Sequence, residues 1–462
     1  MNIQLIRYYD IGNINTRLAK SLNERQGVLP PLGIAYLASS LEKAGHKVNI
    51  IDAPAELLTN EQVRSRIRDF HPNIVGVTSM TPSFLGTLEA ARIAKEEGAI
   101  TVVGGVHMDI FAEETLSYDC IDYGLVGEAE ESFVKLCEFV SGTKKIEDIE
   151  GIAYKHNDRI IVKEHQIIDN LDSLRFPAYH LLPMDKYNSI IGLRPVSTMI
   201  SSRGCPYRCS FCYKSPSDKK HRTRSAKNIV DEMELLVNNY KVKEIMFYDD
   251  LMFPEHVENL CREISKRKLK VFWETPQRVD LVNKDLLGIM KQAGCRMLRF
   301  VVEQGDPEMM RFVEKKITID KVKQVFGWAR SSGIDSFAYF IIGCIHENEK
   351  TIKASIKLAK KLNPRFVMFT KATPLPNTPL FEIAVKEGFI TRDYWRNFVL
   401  GAKNDPIKPF VKDAQKWVSK AYREFYLRPS KIIEQLMHIN NVDSFKKGLD
   451  GFLGILALDR EN

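Results

Sequence analysis

The segment RGCPYRCSFCY (203–213) places Cys205, Cys209 and Cys212 within eight positions. Cysteines this close share either a bond or a metal. A disulfide pairs two and strands the third, and in a reducing compartment a tight cluster is more often metal-binding or catalytic than cross-linked. Structural zinc takes four nitrogen or sulfur ligands, and only His221 stands near as a fourth. An iron–sulfur cubane has four irons and is usually held by four thiolates. Three thiolates would leave one iron without a protein ligand, open to a small molecule.

Something must hold this loop in place, and the flanking pattern predicts what. Residues 1–140 alternate short apolar runs (NIQLIRYY, HKVNIIDA, NIVGVTSM, AITVVGGVH, IDYGLVGE) with amphipathic segments that end near glycine. That alternation predicts a doubly wound parallel sheet. Residues 141–194 read as a connector on the surface, with a hairpin around GIAYKHNDRIIVKE. Residues 195–385 resume the alternation with VSTMISS, KEIMFYDD, KVFWETPQ, RMLRFVVEQG, SFAYFIIG and RFVMFTKATP. Six β/α units of this kind predict a partial (β/α)6 barrel, open rather than closed, with its chemistry at the C-terminal strand ends. Residues 386–462 read as a helical, aromatic C-terminal region. The fold class is α/β.

The spacing C-x3-C-x-aromatic-C, with Phe211 before the last cysteine, resembles the signature of the radical S-adenosylmethionine enzymes. The resemblance implies a 4Fe-4S cluster on Cys205, Cys209 and Cys212, and S-adenosyl-L-methionine on the open iron. Reduction then cleaves that molecule to methionine and a 5′-deoxyadenosyl radical. Later motifs carry the resemblance on. FYDD (247–250) puts Asp249 or Asp250 where the family accepts the ammonium group, a charge-assisted contact of the stronger kind. QRVD (277–280) offers Arg278 to a carboxylate, and VVEQGD (301–306) places Glu303 and Gln304 toward the ribose. FIIGCIHENEKT (340–351) aligns Gly343 and Glu347 with the adenine-facing loop. His346 replaces a residue of the family pattern there, either as an exposed loop residue or as a substrate-facing acid or base. In ATPLPNTPLFE (372–382) Asn377 stands for the usual glycine and tolerates the left-handed turn.

Before the barrel, PPLGIAYLASSLEKAGHKVNIIDA (30–53), VVGGVHMDIFAEETL (102–116) and VGEAEESF (126–133) are similar to the cobalamin-binding domain fused to one large class of radical S-adenosylmethionine proteins. A crevice at the strand ends would then meet the cofactor through Thr78, Ser79, Gly104 and Gly105, the glycines permitting close approach. Domains that ligate cobalt through a protein imidazole carry D-x-H-x-x-G after the first strand. Here YDIGNINTRLAKSL contains no histidine, and His107 reads as structural.

The bounds agree with an enzyme of this kind. The 462 residues are 44% hydrophobic and 27% charged with net charge +8, the composition of a globular protein. No apolar run is long enough to span a bilayer, and the start has no signal-peptide pattern, so the expected location is cytoplasmic. Cys120, Cys137, Cys261, Cys295 and Cys344 read as core residues. The resemblance implies cobalamin-dependent methylation of an unactivated carbon, or alternatively a cobalamin-assisted oxidation, cyclisation or ring rearrangement, as in the branch with the anaerobic porphyrin-ring cyclase and hopanoid-pathway enzymes. Its partners would be a small-molecule substrate, lipid or tetrapyrrole-like, and an external electron donor such as flavodoxin or ferredoxin. Transfer-RNA methylthiolation needs three further cluster cysteines before the barrel, and only Cys120 and Cys137 occur there; no nucleic acid is expected. A non-enzymatic cobalamin sensor would not need the triplet. The basic, amphipathic segment WVSKAYREFYLRPSKIIEQLMHI (417–439) and GFLGILAL (451–458) read as packing against the barrel, with peripheral membrane contact as the alternative.

Overall fold

The computed structural model describes residues 1–10, 27–189, 191–215, 220–437 and 442–458. Most of the histidine-free segment after the first strand lies outside the described residues, from position 11 onward. The first sheet comprises β1 (Asn2–Arg7), β2 (Lys47–Asp52), β3 (Ile74–Thr78), β4 (Ile100–Gly104), β5 (Tyr123–Leu125), β6 (Ile152–His156) and β7 (Arg159–Val162). Its order is β2-β1-β3-β4-β5-β6-β7, with β1 to β5 parallel. The central strands β3 and β4 read as near-continuous apolar runs because both faces are covered. Ile3, Leu5 and Ile50 pack on one face with Ala35, Ala38 and Leu41 of the helix Leu32–Lys43. Ile6, Ile51 and Val77 pack on the other with Val63 and Ile67 of the helix Asn60–Phe70. β2 and β3 leave β1 in opposite directions, so their C-terminal ends open a crevice at the switch point of the sheet.

The hairpin expected in the surface connector forms, but it joins the first sheet. β6 pairs antiparallel with β5 (Gly124 opposite Ala153), and β7 pairs with β6. An open β5 edge would leave backbone groups unpaired, and buried Ile152 and Ala153 make the hairpin a better cover than solvent. The rest of the connector is also partly interior. Tyr179 is fully buried and donates to Glu232 at 2.6 Å. Glu232 also pairs with Arg224 at 2.6 Å.

The second sheet holds β8 (Val196–Met199), β11 (Glu244–Phe247), β12 (Phe272–Gln277), β13 (Cys295–Glu303), β14 (Asp335–Ile342) and β15 (Phe366–Lys371), six parallel strands in the order β15-β14-β13-β12-β11-β8. A ribbon of β9 (Ser202–Arg203) and β10 (Arg222–Thr223) follows β8. Side chains alternate along each strand. On β13, Leu298, Phe300 and Val302 pack in the core shared with the outer helices, which leaves Met297 and Arg299 to the inner face.

An open barrel has two edges, and β15 is one of them. The helix Ala414–Tyr426 covers it, and its side chains replace a missing strand: the Val367 N–H donates to the Tyr426 hydroxyl at 2.8 Å and the Phe369 N–H to the Tyr422 hydroxyl at 3.1 Å. Two further helices, Pro429–Met437 and Val442–Ala457, complete the C-terminal region.

Candidate active site

The cysteine loop leaves the end of β9 and is tied to three places. Gly204 N–H donates to Asp250 Oδ2 at 3.1 Å, Ser210 N–H to the Val313 carbonyl at 3.2 Å, and the Leu380 N–H to the Ser210 carbonyl at 2.8 Å. The segment after β15, from its loop into the helix Pro379–Lys386, therefore pins the cysteine loop. Asn377, in the loop after β15, adopts φ +54° as its turn requires. Cys205, Cys209 and Cys212 are free and partly exposed. Burial pushes the Cys212 thiol up to about 11, and the two neighbouring cysteines push the same way against Lys214. A bound cationic centre reverses that cost by ionising the thiol. Among the described residues no three His, Cys, Asp or Glu side chains converge on one ion. A cubane makes no such demand, since each thiolate binds a different iron.

The base of the loop is held by the first domain. Arg203 pairs with Glu130 at 2.5 Å and with Glu128 at 3.3 Å, and Arg222 pairs with Glu128 at 2.7 Å. All four side chains are largely buried. These glutamates lie in the VGEAEESF segment, read above only as part of the cofactor domain. No local pattern links them to an arginine more than 70 positions away.

The strand ends then bring the remaining residues around the loop. The adjacent aspartates divide their roles. Asp249 Oδ1 accepts from the Ser201 N–H and from both Ser201 and Ser202 hydroxyls, at 2.8, 2.9 and 2.6 Å. Burial, only partly offset by these bonds, raises its carboxyl to about 6. Asp249 thus anchors the strand leading into the loop, while Asp250 is exposed beside Gly204. Arg278 stacks on the Tyr207 ring at 3.6 Å, pairs with Asp280 at 2.9 Å, donates to the Lys315 carbonyl at 2.8 Å and brings Nη1 to 4.0 Å from Cys209 Sγ.

Glu303 is buried at φ +72°, a conformation that costs a non-glycine residue of order 1–3 kcal/mol and clusters at functional sites. Lys315 sits 3.5 Å from it and 6.0 Å from the centre of the Phe211 ring. Lys315 escaped the sequence reading because it lies in a loop without a motif. Gln304 donates to the Ile341 carbonyl at 3.0 Å, and Glu347 accepts the Cys344 N–H at 2.8 Å. The amide oxygen of Gln304 and the other carboxylate oxygen of Glu347 are buried acceptors without a partner. Such acceptors are costly and fit a ligand that brings its own donors. Burial pushes the Glu347 carboxyl up to about 7.

Three more of the expected residues have settings that the sequence does not show. His346 is exposed, packs edge-on against Phe312 and meets Glu387 at 2.9 Å, so its geometry supports the loop reading and gives no support to an acid or base. Gly343 adopts φ +77°, and an added Cβ would lie 2.8 Å from that of Ala414, so the C-terminal helix is what its missing side chain admits. Gly105 adopts φ +100°, and a Cβ there would meet the Ser79 carbonyl at 2.6 Å. Its smallness serves the packing of the loop after β4 on the loop after β3. His107 is fully buried, with Nδ1 3.1 Å from Thr81 Oγ1 and Nε2 2.9 Å from Thr115 Oγ1. Burial lowers it to about 3, a neutral structural ring.

A cavity of about 1900 Å³ lies along the inner face of the barrel and reaches the switch point of the first sheet. It exceeds the roughly 300–1,000 Å³ of ordinary small-ligand pockets. Thr78, Ser79 and Arg7 line it from the first sheet, Tyr248, Arg299 and Tyr339 from the barrel, and Leu436 and Phe452 from the C-terminal helices. Gly104 and Gly105 are not in its wall. Neither are the cysteines, but Ile200 and Tyr248 in its wall directly precede the Ser201–Ser202 and Asp249 anchors at the base of their loop.

Residues 21–137 match the B12 binding domain family, and residues 199–359 match the Radical SAM superfamily. An uncharacterized methyltransferase of Pyrococcus horikoshii is 33% identical, over 92% of this chain and 94% of its own. The chain belongs to the cobalamin-dependent radical S-adenosylmethionine enzymes. An anaerobic magnesium-protoporphyrin IX monomethyl ester cyclase of Rubrivivax gelatinosus, 31% identical over 78% of this chain and 67% of its own, lies in the same family. The fold agrees: a cobalamin-dependent S-adenosylmethionine radical enzyme solved with aqua-cobalamin and S-adenosylmethionine bound superposes with TM-score 0.75 over 99% of this chain and 72% of that one, at 16% identity. No described helix of this radical S-adenosylmethionine enzyme is long and apolar enough to cross a membrane.

Proposed function

We propose that the chain methylates an unactivated carbon of a small organic substrate, using a 4Fe-4S cluster, S-adenosylmethionine and cobalamin. One juxtaposition carries this reading: three free cysteines on a barrel loop whose anchoring strand ends line a cavity that runs to the switch point of a B12-binding sheet. Cys205, Cys209 and Cys212 would hold the cluster. Asp250, the accessible member of the aspartate pair, would accept the ammonium of S-adenosylmethionine. The unpartnered oxygens of Gln304 and Glu347 would accept from its adenosine. Arg278 and Lys315 hold the loop from one side and place positive charge beside Cys209 and Phe211. Thr78 and Ser79, with Arg7, would line the corrin edge. When bound, these groups supply a carbon radical and a transferable methyl; the chain's own task is to keep them aligned and dry.

A second reading is favoured by the cyclase relative, in which radical generation serves ring closure without methyl transfer. Product analysis separates the two. The reconstituted enzyme is reduced in the absence of air with methyl-deuterated S-adenosylmethionine and candidate substrates. Methylation yields 5′-deoxyadenosine together with S-adenosylhomocysteine and a deuterated product. Cyclisation yields 5′-deoxyadenosine without S-adenosylhomocysteine. Absence of 5′-deoxyadenosine contradicts both.

A further inference from the structure

Several arginines line the large cavity, and they are not equivalent. Arg7 is held by Asp52 at 2.7 Å, Arg296 by Glu244 at 2.5 Å and Arg365 by Asp335 at 2.5 Å, while Arg194 is exposed at the rim. Arg299 is held more loosely. It projects from the inner face of β13, its side chain is only 8% exposed, and its ion pair with Glu274 is long, Nε standing 3.6 Å from Oε1. One guanidinium nitrogen donates to the Phe247 carbonyl, but Nε, at that distance, has no hydrogen-bond acceptor. A buried guanidinium with an unused donor is costly unless something completes it.

Its surroundings describe that something. Tyr248 packs against the guanidinium with its ring centre 4.9 Å away, and Phe337 stacks on Tyr339 at 4.6 Å, interplanar angle 13°. All three rings line the cavity beside Arg299. From there the wall continues to Leu436, Phe445, Leu449 and Phe452 of the last two helices, apolar side chains that stay 43–59% exposed. The sequence assigns Leu436 and Phe452 to packing on the barrel or, alternatively, to membrane contact, and full packing on the barrel would have buried them. Glu274 offsets Arg299 incompletely: burial, with Glu244 acting the same way against Arg299, pushes its carboxyl up to about 7.

We propose that the barrel cavity is built for an anionic amphiphile, whose carboxylate or similar anion binds Arg299 and whose planar or apolar body lies between the aromatic wall and the C-terminal helices. The proposal names the substrate class of the reaction proposed above and rests on that reading. Arg299 is the specificity-determining residue. Its guanidinium supplies donors to the anion, and the exposed apolar side chains cover the body where it leaves the barrel. A free amphiphile and one delivered from a bilayer share this chemistry.

The test compares 1-pyrenebutyrate with 1-pyrenebutanol, which share a planar apolar body and differ in the anion. Binding is measured by equilibrium dialysis on the full chain reconstituted with its cofactors. The butyrate should bind at least about tenfold more tightly than the alcohol. Arg299→Gln should abolish that preference and leave the alcohol unchanged. Because Arg299 also faces Glu274, the double variant Arg299→Gln/Glu274→Gln removes both charges; it should likewise bind acid and alcohol equally, and it serves as the test if the single variant folds poorly. Leu436→Glu and Phe452→Glu should weaken both probes severalfold. Repeating the dialysis with phosphatidylcholine vesicles that carry the butyrate distinguishes delivery from a bilayer from capture of the free molecule. Equal binding of acid and alcohol, or a preference that survives loss of Arg299, overturns the proposal. An enzyme that still cleaves S-adenosylmethionine while showing no preference refutes the substrate class alone. One with the preference but no cleavage refutes the reaction.

Discussion

The cysteine loop and the large cavity sit side by side on one barrel, yet they are built in opposite ways. The loop is fixed by charge and backbone: Arg203 on Glu130 and Glu128, Gly204 on Asp250, Ser210 on Val313 and Leu380, Arg278 beside Cys209. The cavity is walled mainly by aromatic and aliphatic side chains and closed on one side by helices that keep much of their apolar surface exposed. A site for a small cofactor of fixed shape gains from many short-range restraints, since a misplacement of one ångström is expensive for chemistry. A site for a bulky or variable ligand gains from area and volume, with few directional contacts. Family members can then keep the first and vary the second. Changes at the loop should therefore be severe, and changes at the cavity wall mild until a substrate is present.

The largest effect is expected at the cluster. Cys205→Ala should lower S-adenosylmethionine cleavage to background and remove the iron–sulfur contribution to the visible spectrum while leaving the corrinoid bands, without loss of fold by circular dichroism. Next comes the support from the first domain. Glu130→Ala leaves buried Arg203 short of its closest partner, and breaking a buried pair costs about 3–5 kcal/mol. Urea unfolding should show a loss of that order, with reduced iron content; the same change at exposed Glu131 should do neither.

A smaller effect is a pH dependence. The Glu347 carboxyl is raised from 4.5 to about 7 by burial. A raised carboxyl favours the folded state while it is protonated, so its contribution is full below about pH 4.5 and is lost as pH rises through 7. The loss is on the order of 3 kcal/mol. Glu347→Gln keeps the acceptor for the Cys344 N–H and should flatten the fall in thermal stability between pH 5 and 8; an unchanged slope would assign the dependence to another group. The smallest effect is at the cavity rim. Leu436→Ser, at a side chain already 59% exposed, should shift stability by less than about 0.5 kcal/mol. A larger loss would mean that the rim is packed in solution and the contrast between the two sites is overstated.

Much of this architecture was legible in the sequence because its signals are local. Apolar runs such as NIVGVTSM and SFAYFIIG, bounded by helical segments, mark buried parallel strands, and the cysteine spacing marks its own loop. Asn377 could be read as a left-handed turn residue for the same reason. Partners far apart in the chain were not legible. Nothing near Glu128 and Glu130 points to Arg203, nor anything near Tyr422 to the open edge of β15. Neighbouring residues of one type are equally opaque: Asp249 and Asp250 differ only in the side of the strand end they face, which decides that one is an anchor and the other accessible. His346 drew notice as a departure from a motif, but its exposure and its bond to Glu387 are properties of the folded loop alone. The hairpin's own signal is local, whereas its place in the first sheet depends on the free edge of β5.

The central claim is that one chain holds two cofactor sites in register, and metal stoichiometry tests it most directly. The protein would be reconstituted without oxygen using iron, sulfide and hydroxocobalamin, then passed through gel filtration for iron and cobalt analysis of the protein peak. The account predicts about four irons together with one cobalt per chain, the iron lost and the cobalt kept in Cys205→Ala. Iron without cobalt would contradict it, leaving the cavity to substrate alone and removing methyl transfer through cobalamin from the proposed reaction.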